Sequence, residues 1–247
     1  MINLYPFSLV FNEKKIADFP FIIDNRVLDH RCIISSCFAG NMNEDANRHR
    51  FFSDLNIKSE YVYACKQIHS QNVFIVDRDT PNNYPEGDGL ISCDSGILLS
   101  VVVADCLPIF LYDSENGVFG LVHSGWQGTG IVLKAIDLMR ERWNTRVEKL
   151  ALVLGPCIQS CCYSVSEERA RFFESSFGGN YGEYPLGDII RCDKNIFYVN
   201  LQSVNARLLA NAGVKNIAYC QNCTFTDLSL GSFRREGANY TRMLALV

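Results

Sequence analysis

Three residues of this chain have the side chains and the setting to hold a metal ion: His69, Cys106 and His123. They are two of only four histidines and one of eleven cysteines. Each lies at the end of a strand-like segment or just after one, and α/β proteins collect binding and catalytic groups there. Two imidazoles and one thiolate leave the fourth position of a tetrahedral ion open for water or substrate. This is the pattern of a catalytic zinc site.

Spacing alone leaves a second interpretation of these residues open. They are far apart in the sequence, and no short signature such as His-Glu-x-x-His joins them. Single histidines also make structural hydrogen bonds, and free cysteines pack as small hydrophobes. Without further information, the favoured interpretation is that the two histidines are structural residues and that Cys106 is part of the core.

The segments before His69 and Cys106 are predicted to be strands. Residues 97–103 are apolar and β-branched, which is typical of a strand buried on both faces, and they lead into Cys106. Residues 60–64 form a second strand-like segment ahead of His69. Both candidate ligands therefore follow strands.

A β-hairpin is predicted to position His123. Residues 108–112 and 118–123 are short apolar runs, and residues 113–117 between them are turn-forming, with Asn-Gly at the end. The hairpin implies antiparallel pairing, so the sheet must be mixed.

The second half of the chain alternates between helix and strand patterns, which predicts an α/β fold. A glycine-rich loop, 124–130, opens a helix whose N-terminus is a further candidate anion site. A glycine- and tyrosine-rich stretch, 178–187, is predicted to be a surface loop. The remaining predicted elements are helices at 131–143, from Ser166 and at 201–212 before Gly213, and strands at 150–154 and 214–219.

The composition is that of an ordinary globular protein. The chain has 247 residues, 48% hydrophobic and 20% charged, so we expect one domain over residues 1–247. The net charge of −4 does not indicate a nucleic-acid-binding surface. The longest apolar run, 97–104, is too short to span a bilayer, and residues 1–24 lack a secretory signal. We therefore expect a cytoplasmic monomer with no membrane or nucleic-acid partner.

The other cysteines are interpreted as packing residues. Cys161 and Cys162 are adjacent, and in a strand adjacent side chains point to opposite faces, which argues against a shared metal. Cys220 and Cys223 have the spacing of half a zinc site or of a redox pair, but the sequence shows no second half. The sequence therefore predicts no second metal centre.

Six motifs resemble, in order, the signatures of the YfiH-like family. The family is also known as polyphenol oxidases of laccase type, purine nucleoside phosphorylases or peptidoglycan editing factors. The resemblance runs from about residue 47 to residue 243. The motifs are 66–69 (Lys-Gln-Ile-His), 87–90 (Gly-Asp-Gly-Leu), 104–108 (Ala-Asp-Cys-Leu-Pro), 123–129 (His-Ser-Gly-Trp-Gln-Gly-Thr), 155–158 (Gly-Pro-Cys-Ile) with Cys162 and Tyr163, and Cys223 and Thr224 with 232–235 (Ser-Phe-Arg-Arg), Arg242 and Met243.

This resemblance implies an α/β domain of sandwiched mixed β-sheets flanked by helices. It also implies a catalytic zinc on the residues that match His69, Cys106 and His123. The implied activities are phosphorolysis of adenosine, inosine and methylthioadenosine, and deamination of adenosine. A purine nucleoside and phosphate are then the small-molecule substrates.

The chain departs from the family pattern in the glycine-rich loop. The family's His-Ala-Gly-Trp-Arg-Gly has Ser124 and Gln127 here, and glutamine lacks the fixed charge and the planar fork of arginine. We therefore expect phosphate binding at Gln127 to be weakened unless another arginine compensates, because arginine forks bind phosphate well. The candidate arginines are Arg48, Arg234 and Arg235.

Two other activities fit the same three residues. Two histidines and a cysteine also describe a blue-copper site, but a multicopper oxidase needs many more histidines than four. Copper is therefore less favoured than zinc. Cys106 with a histidine base is the pattern of a cysteine hydrolase, which would suit an amidase that edits a peptidoglycan precursor.

Overall fold

The computed structural model describes residues 2–83, 85–178 and 186–247, which form three sheets and five helices. The helices are α1 (Asp45–Asp54), α2 (Ile131–Trp143), α3 (Glu167–Phe177), α4 (Leu201–Asn211) and α5 (Phe233–Glu236). The strands are β1 (Asn3–Phe7), β2 (Ile16–Ile23), β3 (Arg26–Ser35), β4 (Val62–Ala64), β5 (Val73–Ile75), β6 (Gly89–Ser92), β7 (Leu98–Val103), β8 (Leu107–Asp113), β9 (Val118–Ser124), β10 (Leu150–Leu154), β11 (Ser164–Val165), β12 (Ile190–Asp193), β13 (Ile196–Val199), β14 (Asn216–Cys220) and β15 (Met243–Leu246).

A seven-stranded mixed sheet lies in the middle of the fold. Its strand order is β1-β14-β10-β8-β9-β6-β5. The central strands β10, β8, β9 and β6 pair antiparallel, whereas β1 and β10 pair parallel with β14, and β5 pairs parallel with β6. All five residues of β10 and all seven of β9 are buried, so these strands have covered faces on both sides.

A second sheet packs face to face on the first one. Its order is β2-β3-β15-β7-β4, with only β4 and β7 parallel. The core between the sheets contains Phe19 and Phe21 of β2 and Phe110 and Phe119 of the larger sheet, each at most 4% exposed. Burial of these aromatic side chains stabilises the pair of sheets, at roughly 1.5–3 kcal/mol per side chain.

Helices cover the outer faces of both sheets. On β10, Leu152 packs with Ile136 of α2 and Leu209 of α4, whereas its neighbour Val153 belongs to the core between the sheets. This alternation follows from the period of two in a strand. On the other side, α1 covers the five-stranded sheet through side chains that include Phe51. A small antiparallel sheet, β11-β13-β12, lies beside α3.

The prediction of sandwiched mixed sheets flanked by helices is confirmed. The predicted hairpin is β8 with β9, and the predicted helix at 131–143 is α2 with the same bounds. Ser166 caps α3, because its hydroxyl accepts a hydrogen bond from the amide of Arg169. The predicted loop at 178–187 lies mostly outside the described residues.

The sequence patterns did not reveal the first three strands, α1 or the last strand. β15 comes from the end of the chain and lies between β3 and β7, so the second sheet needs both ends of the sequence. Among the described residues, no helix has both the length and the apolar character needed to cross a bilayer.

Candidate functional site

The three predicted ligands converge at one place. Ligand atoms of His69, Cys106 and His123 all lie within 4.8 Å of one another. The two imidazole rings are 4.9 Å apart between centroids. His69 is exposed, Cys106 is half-buried and His123 is 3% exposed. A single ion can reach all three side chains and still face solvent on the side of His69.

The hairpin holds Cys106 beside His123. Pro108 of β8 pairs with His123 of β9, and Cys106 stands two residues before Pro108. The chain turns sharply just before the cysteine, because Asp105 has a left-handed backbone with a φ of 80°. Few non-glycine residues adopt this conformation, although aspartate tolerates it better than most.

The side chain of Asp105 anchors this turn through both carboxylate oxygens. One carboxylate oxygen accepts a hydrogen bond from the Thr224 hydroxyl at 2.6 Å. The other accepts from the backbone amide of Arg234 at 2.7 Å. Asp105 therefore ties the cysteine turn to the segment after β14 and to the start of α5.

Asp88 is fully buried and positions both histidines. Its Oδ1 lies 2.9 Å from Nδ1 of His123 and accepts a hydrogen bond from the backbone amide of His69 at 3.0 Å. Its Oδ2 accepts from the amide and the hydroxyl of Ser70, at 2.6 and 2.8 Å. Because Asp88 occupies Nδ1 of His123, Nε2 is left for a metal. Carboxylates commonly orient metal-binding histidines in this way.

The loop that carries His69 is tied down on both sides. The side-chain amide of Gln67 donates to the carbonyl of Val102 at 2.9 Å and accepts from its amide at 2.8 Å. Gln71 donates to the carbonyl of Thr129 at 2.8 Å. His69 itself has a left-handed backbone, with a φ of 59°. Such strain persists only where surrounding contacts fix the conformation, and it is frequent at functional sites.

The glycine-rich loop leaves the space that an ion requires. A Cβ atom added to Gly125 would lie 3.0 Å from Sγ of Cys106 and 3.2 Å from Nδ1 of His69. Both distances are shorter than ordinary van der Waals contact, so a side chain at position 125 would crowd two of the three ligands. The donor set, the orientation of His123 and this space together fit a bound metal.

The side chains alone form a thiolate–imidazolium pair. Burial raises the pKa of Cys106, but the two neighbouring histidines outweigh it and lower the pKa to about 6. Burial lowers the pKa of His123, but Cys106 and Asp88 outweigh it and raise the pKa to about 9. Burial also raises the pKa of Asp88, but hydrogen bonds from His123 and Ser70 lower it to about 2. The thiol is thus ionised at neutral pH, as a metal ligand must be.

A large polar cavity of about 670 Å³ opens on one side of the three ligands. Its wall includes residues of α1 and the stretch from Tyr240 to Leu244. The guanidinium of Arg242 stacks on the ring of Tyr240, with Cζ 4.2 Å from the centroid. Within the part of the chain that the structure describes, Arg242 has no carboxylate partner. Its charge therefore remains available to an anion in this cavity.

A smaller aromatic cavity of about 300 Å³ lies on the other side of His69 and Cys106, which line both cavities. Arg169 belongs to this wall, and its guanidinium carbon lies 4.3 Å above the Trp126 ring. No ion pair to Arg169 occurs among the described residues. The aromatic side chains of the wall are Trp126, Tyr163, Phe233 and Tyr240.

Three of the four predicted substrate-binding residues line one of the two cavities. Arg48 lines the polar cavity, where it donates to the Met42 carbonyl at 2.9 Å and is paired with Asp45. Gln127 and Arg234 line the aromatic cavity. Arg234 also donates to the carbonyl and hydroxyl oxygens of Ser164, at 2.8 and 3.0 Å.

The structure does not bring Arg235 to either cavity. Its guanidinium is occupied by Glu236 and by backbone carbonyls, so it holds the loop after β14 in place.

The N-terminus of α2, a candidate anion site, has two of its amides already occupied. The amides of Ile131 and Leu133 donate to the carbonyls of Gly128 and Gly130, both at 3.0 Å, and the side chains of Ile131 and Val132 are fully buried. These two amides are therefore not available to an anion.

Four residues of the site carried no predicted role. Asp88 and Arg242 stand within recognised motifs, but nothing in their neighbours shows that one is buried between the histidines and the other faces a cavity. Arg169 and Tyr240 come from segments without a chemical signature. The sequence signal for Asp88 is an aspartate between two glycines, Gly87 and Gly89.

Comparison with known proteins shows clear relatives. The family model described as multi-copper polyphenol oxidoreductase laccase matches residues 41–247. A purine nucleoside phosphorylase of Clostridium acetobutylicum is 32% identical over 187 residues, which is 74% of each chain. Another, from Borreliella burgdorferi, is 34% identical over 180 residues, covering 72% of this chain and 76% of the relative.

Solved structures show the same fold. The crystal structure of YlmD from Geobacillus stearothermophilus has a TM-score of 0.80 at 24% identity, over 97% of this chain and 98% of that one. The structure of the hypothetical protein YfiH from Bacillus licheniformis has a TM-score of 0.75 at 22% identity, over 87% and 91%. The predicted resemblance to YfiH-like proteins is therefore confirmed.

Proposed function

This chain belongs to the family described as multi-copper polyphenol oxidoreductase laccase, and we propose that within this family it is a zinc-dependent purine nucleoside phosphorylase. Its relatives in Clostridium and Borreliella carry the name purine nucleoside phosphorylase. The main structural support is the convergence of His69, Cys106 and His123 between one polar and one aromatic cavity.

Zinc is the ion that best suits the donor set. His69, Cys106 and His123 would hold it, with one position left open, and a bound zinc supplies a Lewis acid between the two cavities. A blue-copper site would add a weak axial ligand, most often methionine and in some proteins glutamine. No methionine lies on the described wall of either cavity, so the axial ligand would have to be Gln67 or Gln127.

The purine base is proposed to bind in the aromatic cavity. Aromatic walls suit a flat heterocycle, because ring stacking adds to the burial of apolar surface. Arg169 can donate to O6 and N7 of a 6-oxopurine such as inosine, in the manner in which arginine recognises guanine. The same donation stabilises the negative charge that develops on the base as its bond to the sugar breaks.

Phosphate is proposed to bind in the polar cavity, where Arg242 is an arginine without a carboxylate partner among the described residues. With the base in one cavity and phosphate in the other, the ribose lies at the junction of the two. A phosphate oxygen then forms its bond to C1′ opposite the departing N9, and the base leaves with the electron pair. In this arrangement the two cavities provide the in-line geometry that the displacement requires.

Adenosine deamination is proposed only as a second activity of the same site. Zinc deaminases use a glutamate that carries protons to and from the reacting base. The described walls of the two cavities contain no glutamate. The glutamate that zinc deaminases use is therefore lacking on these described walls, whereas phosphorolysis requires only an anion site and stabilisation of the leaving base.

One observation favours a cysteine hydrolase as the second candidate function. Cys106, His123 and Asp88 are arranged as thiolate, imidazole and carboxylate, which is also the order of a nucleophilic triad. Replacement of His69 distinguishes the two functions, because the metal site needs both histidines whereas the triad needs only His123. The hydrolase would suit an amide substrate such as a peptidoglycan precursor.

The deciding assay compares inosine, adenosine and methylthioadenosine with and without phosphate. The expected product is ribose 1-phosphate or its 5-methylthio counterpart, formed only when phosphate is present. Release of free ribose in the absence of phosphate would show that the enzyme hydrolyses nucleosides and does not phosphorolyse them. Absence of cleavage of all three nucleosides by the metal-loaded protein would overturn the proposed function.

A further inference from the structure

We propose that Cys161, Cys162 and Cys223 form a second metal site that binds a thiophilic ion, zinc or copper(I), through three thiolates. Their sulfur atoms all lie within 4.8 Å of one another. Cys161 is exposed, Cys162 is half-buried and Cys223 is 6% exposed, so an ion can enter from solvent and still rest on a buried ligand. This thiol cluster is separate from the site of His69 and His123.

The convergence depends on a turn that the sequence did not reveal. The argument that adjacent cysteines diverge holds for a strand, but residues 160–162 form a turn. The amides of Cys162 and Tyr163 both donate to the carbonyl of Gln159, at 2.9 and 2.8 Å. This curvature brings Cys161 and Cys162 to the same side as Cys223, so one cysteine of the Cys-x-x-Cys pair joins this cluster and Cys220 does not.

Backbone contacts hold the two halves of the cluster together. The amide of Gln159 donates to Sγ of Cys223 at 3.4 Å. Cys157 and Cys223 form a parallel β-bridge, and the amide of Thr224 donates to the Cys157 carbonyl at 3.1 Å. Amide-to-sulfur hydrogen bonds favour a thiolate. Burial raises the pKa of Cys223, but the amides around its sulfur outweigh it and lower the pKa overall.

Neighbouring groups leave the fourth position of this ion to solvent. The Asp227 carboxylate already accepts hydrogen bonds from Asn222 at 2.7 Å and from Ser229 at 2.6 Å. Cys220 instead points to Asn222, with a sulfur–oxygen distance of 3.5 Å. Three soft sulfur ligands favour zinc or copper(I) over magnesium or calcium. Each thiol that coordinates the ion releases its proton to solvent.

The thiol cluster lies next to the wall of the aromatic cavity. Tyr163, which follows Cys162, lines that cavity, and Thr224, which follows Cys223, is bonded to Asp105. An ion at the cluster would therefore stabilise the position of the aromatic cavity wall relative to the turn that carries Cys106. Its role would be structural support rather than contact with substrate.

Metal counting tests this site directly. Protein prepared without oxygen and with reductant is titrated with zinc, and bound zinc per chain is measured after gel filtration. Cobalt is the spectroscopic probe, because thiolate-to-cobalt absorbance grows with the number of bound sulfurs.

The test variant is Cys161→Ser with Cys162→Ser. The matched control is Cys93→Ser with Cys192→Ser, two exposed cysteines outside the cluster. A third variant, Cys106→Ser, removes a ligand of the first site and so shows how much zinc that site binds.

The wild type and the control should bind two ions per chain, and the test variant and Cys106→Ser should each bind one. Equal binding by wild type and test variant would overturn the second site. So would a wild type that carries a Cys–Cys bond under these conditions, seen as a mass lower by two hydrogens. If the first site binds nothing, the wild type binds one ion and the test variant none. That result would support the metal site at the thiol cluster and contradict the proposed zinc-dependent function.

Discussion

The carboxylate of Asp88 lies 2.9 Å from Nδ1 of His123 and turns the opposite ring nitrogen toward Cys106 and His69. The same carboxylate accepts a hydrogen bond from the backbone amide of His69. One buried acid therefore fixes the ring of His123 and the backbone of His69. The proposed metal site is therefore organised by a residue that would not touch the ion.

Asp88→Asn should weaken zinc binding by about 10–100-fold, because loss of a carboxylate behind a ligand histidine has effects of this size. An asparagine presents an N–H₂ group to amides that now donate to the carboxylate. Unfolding free energy should therefore fall by about 1–3 kcal/mol. The folded-state pKa of about 2 lies below the ordinary 3.8, so the stability from Asp88 is present above 3.8 and is lost as the pH falls through 2.

Chelator competition gives the zinc affinity, and urea unfolding at several pH values gives the stability. Asp137→Asn, at an exposed position on α2, is the control and should change neither quantity. Wild-type zinc affinity in Asp88→Asn would show that Asp88 does not position the ligands.

Gly125→Ala should abolish tight zinc binding while leaving the metal-free fold close to wild type. The added Cβ would lie 3.0 Å from Sγ of Cys106, in the space proposed for the ion. Thermal unfolding with and without zinc is the measurement, made in the Cys161→Ser with Cys162→Ser background so that only the first site responds. A ligand that binds the folded state stabilises it by an amount that grows with its affinity. Gly117→Ala is the comparison: its φ is 68° and its Cβ would meet no atom within 4 Å. That variant should lose stability but keep the full shift with zinc, and a full zinc shift in Gly125→Ala would contradict the proposed position of the ion.

Alkylation of the metal-free protein should show an ionised Cys106. The lowered pKa predicts a rate for iodoacetamide that is half-maximal near pH 6 and falls as the pH falls below it. Asp88→Asn should move this midpoint upward, because His123 loses the carboxylate that keeps it protonated. Peptide mass spectrometry follows each cysteine, and Cys65, with a pKa raised to about 12, serves as the slow internal reference. A midpoint for Cys106 near the ordinary value of about 8.5 would contradict the thiolate–imidazolium pair.

Phosphate use should depend on Arg242 rather than on position 127. Arg242→Gln should raise the phosphate KM about tenfold, the equivalent of about 1.4 kcal/mol, and leave the nucleoside KM near wild type. Gln127→Arg should change the phosphate KM by less than about twofold, or about 0.4 kcal/mol, because Gln127 lines the aromatic cavity. Arg140→Gln, at an exposed position on α2, controls for loss of charge. A large fall in phosphate KM in Gln127→Arg would place the anion in the aromatic cavity instead.

Much of the geometry of the candidate site was predictable because its candidate ligands stand at strand ends. The strand pattern before Cys106 and the hairpin that ends at His123 are local signals, and the structure has both elements. The family motifs pointed to the same three ligands. Helix α2 was predictable to the residue, since its apolar spacing and its glycine-rich start are both local.

The rest depends on contacts between distant segments. The role of Asp88 depends on the loop of His69 and on β9, neither of which is adjacent to it in the sequence. The thiol cluster was missed because Cys161 and Cys162 lie in a turn, and periodicity cannot show where a turn directs two adjacent side chains. β15 was missed because a four-residue strand between two others is defined by its neighbours.

The most direct test of the central claim is inosine phosphorolysis during a zinc titration of metal-free protein. Using Cys161→Ser with Cys162→Ser as the background confines zinc to the first site, and His69→Gln in that background removes one ligand without touching the Cys106–His123–Asp88 triad. We predict no activity without zinc, a rise that ends at one equivalent per chain, and no activity in His69→Gln at any zinc concentration. Full phosphorolysis by the metal-free protein, or by His69→Gln, would contradict a metal held by His69, Cys106 and His123 as the centre of the reaction.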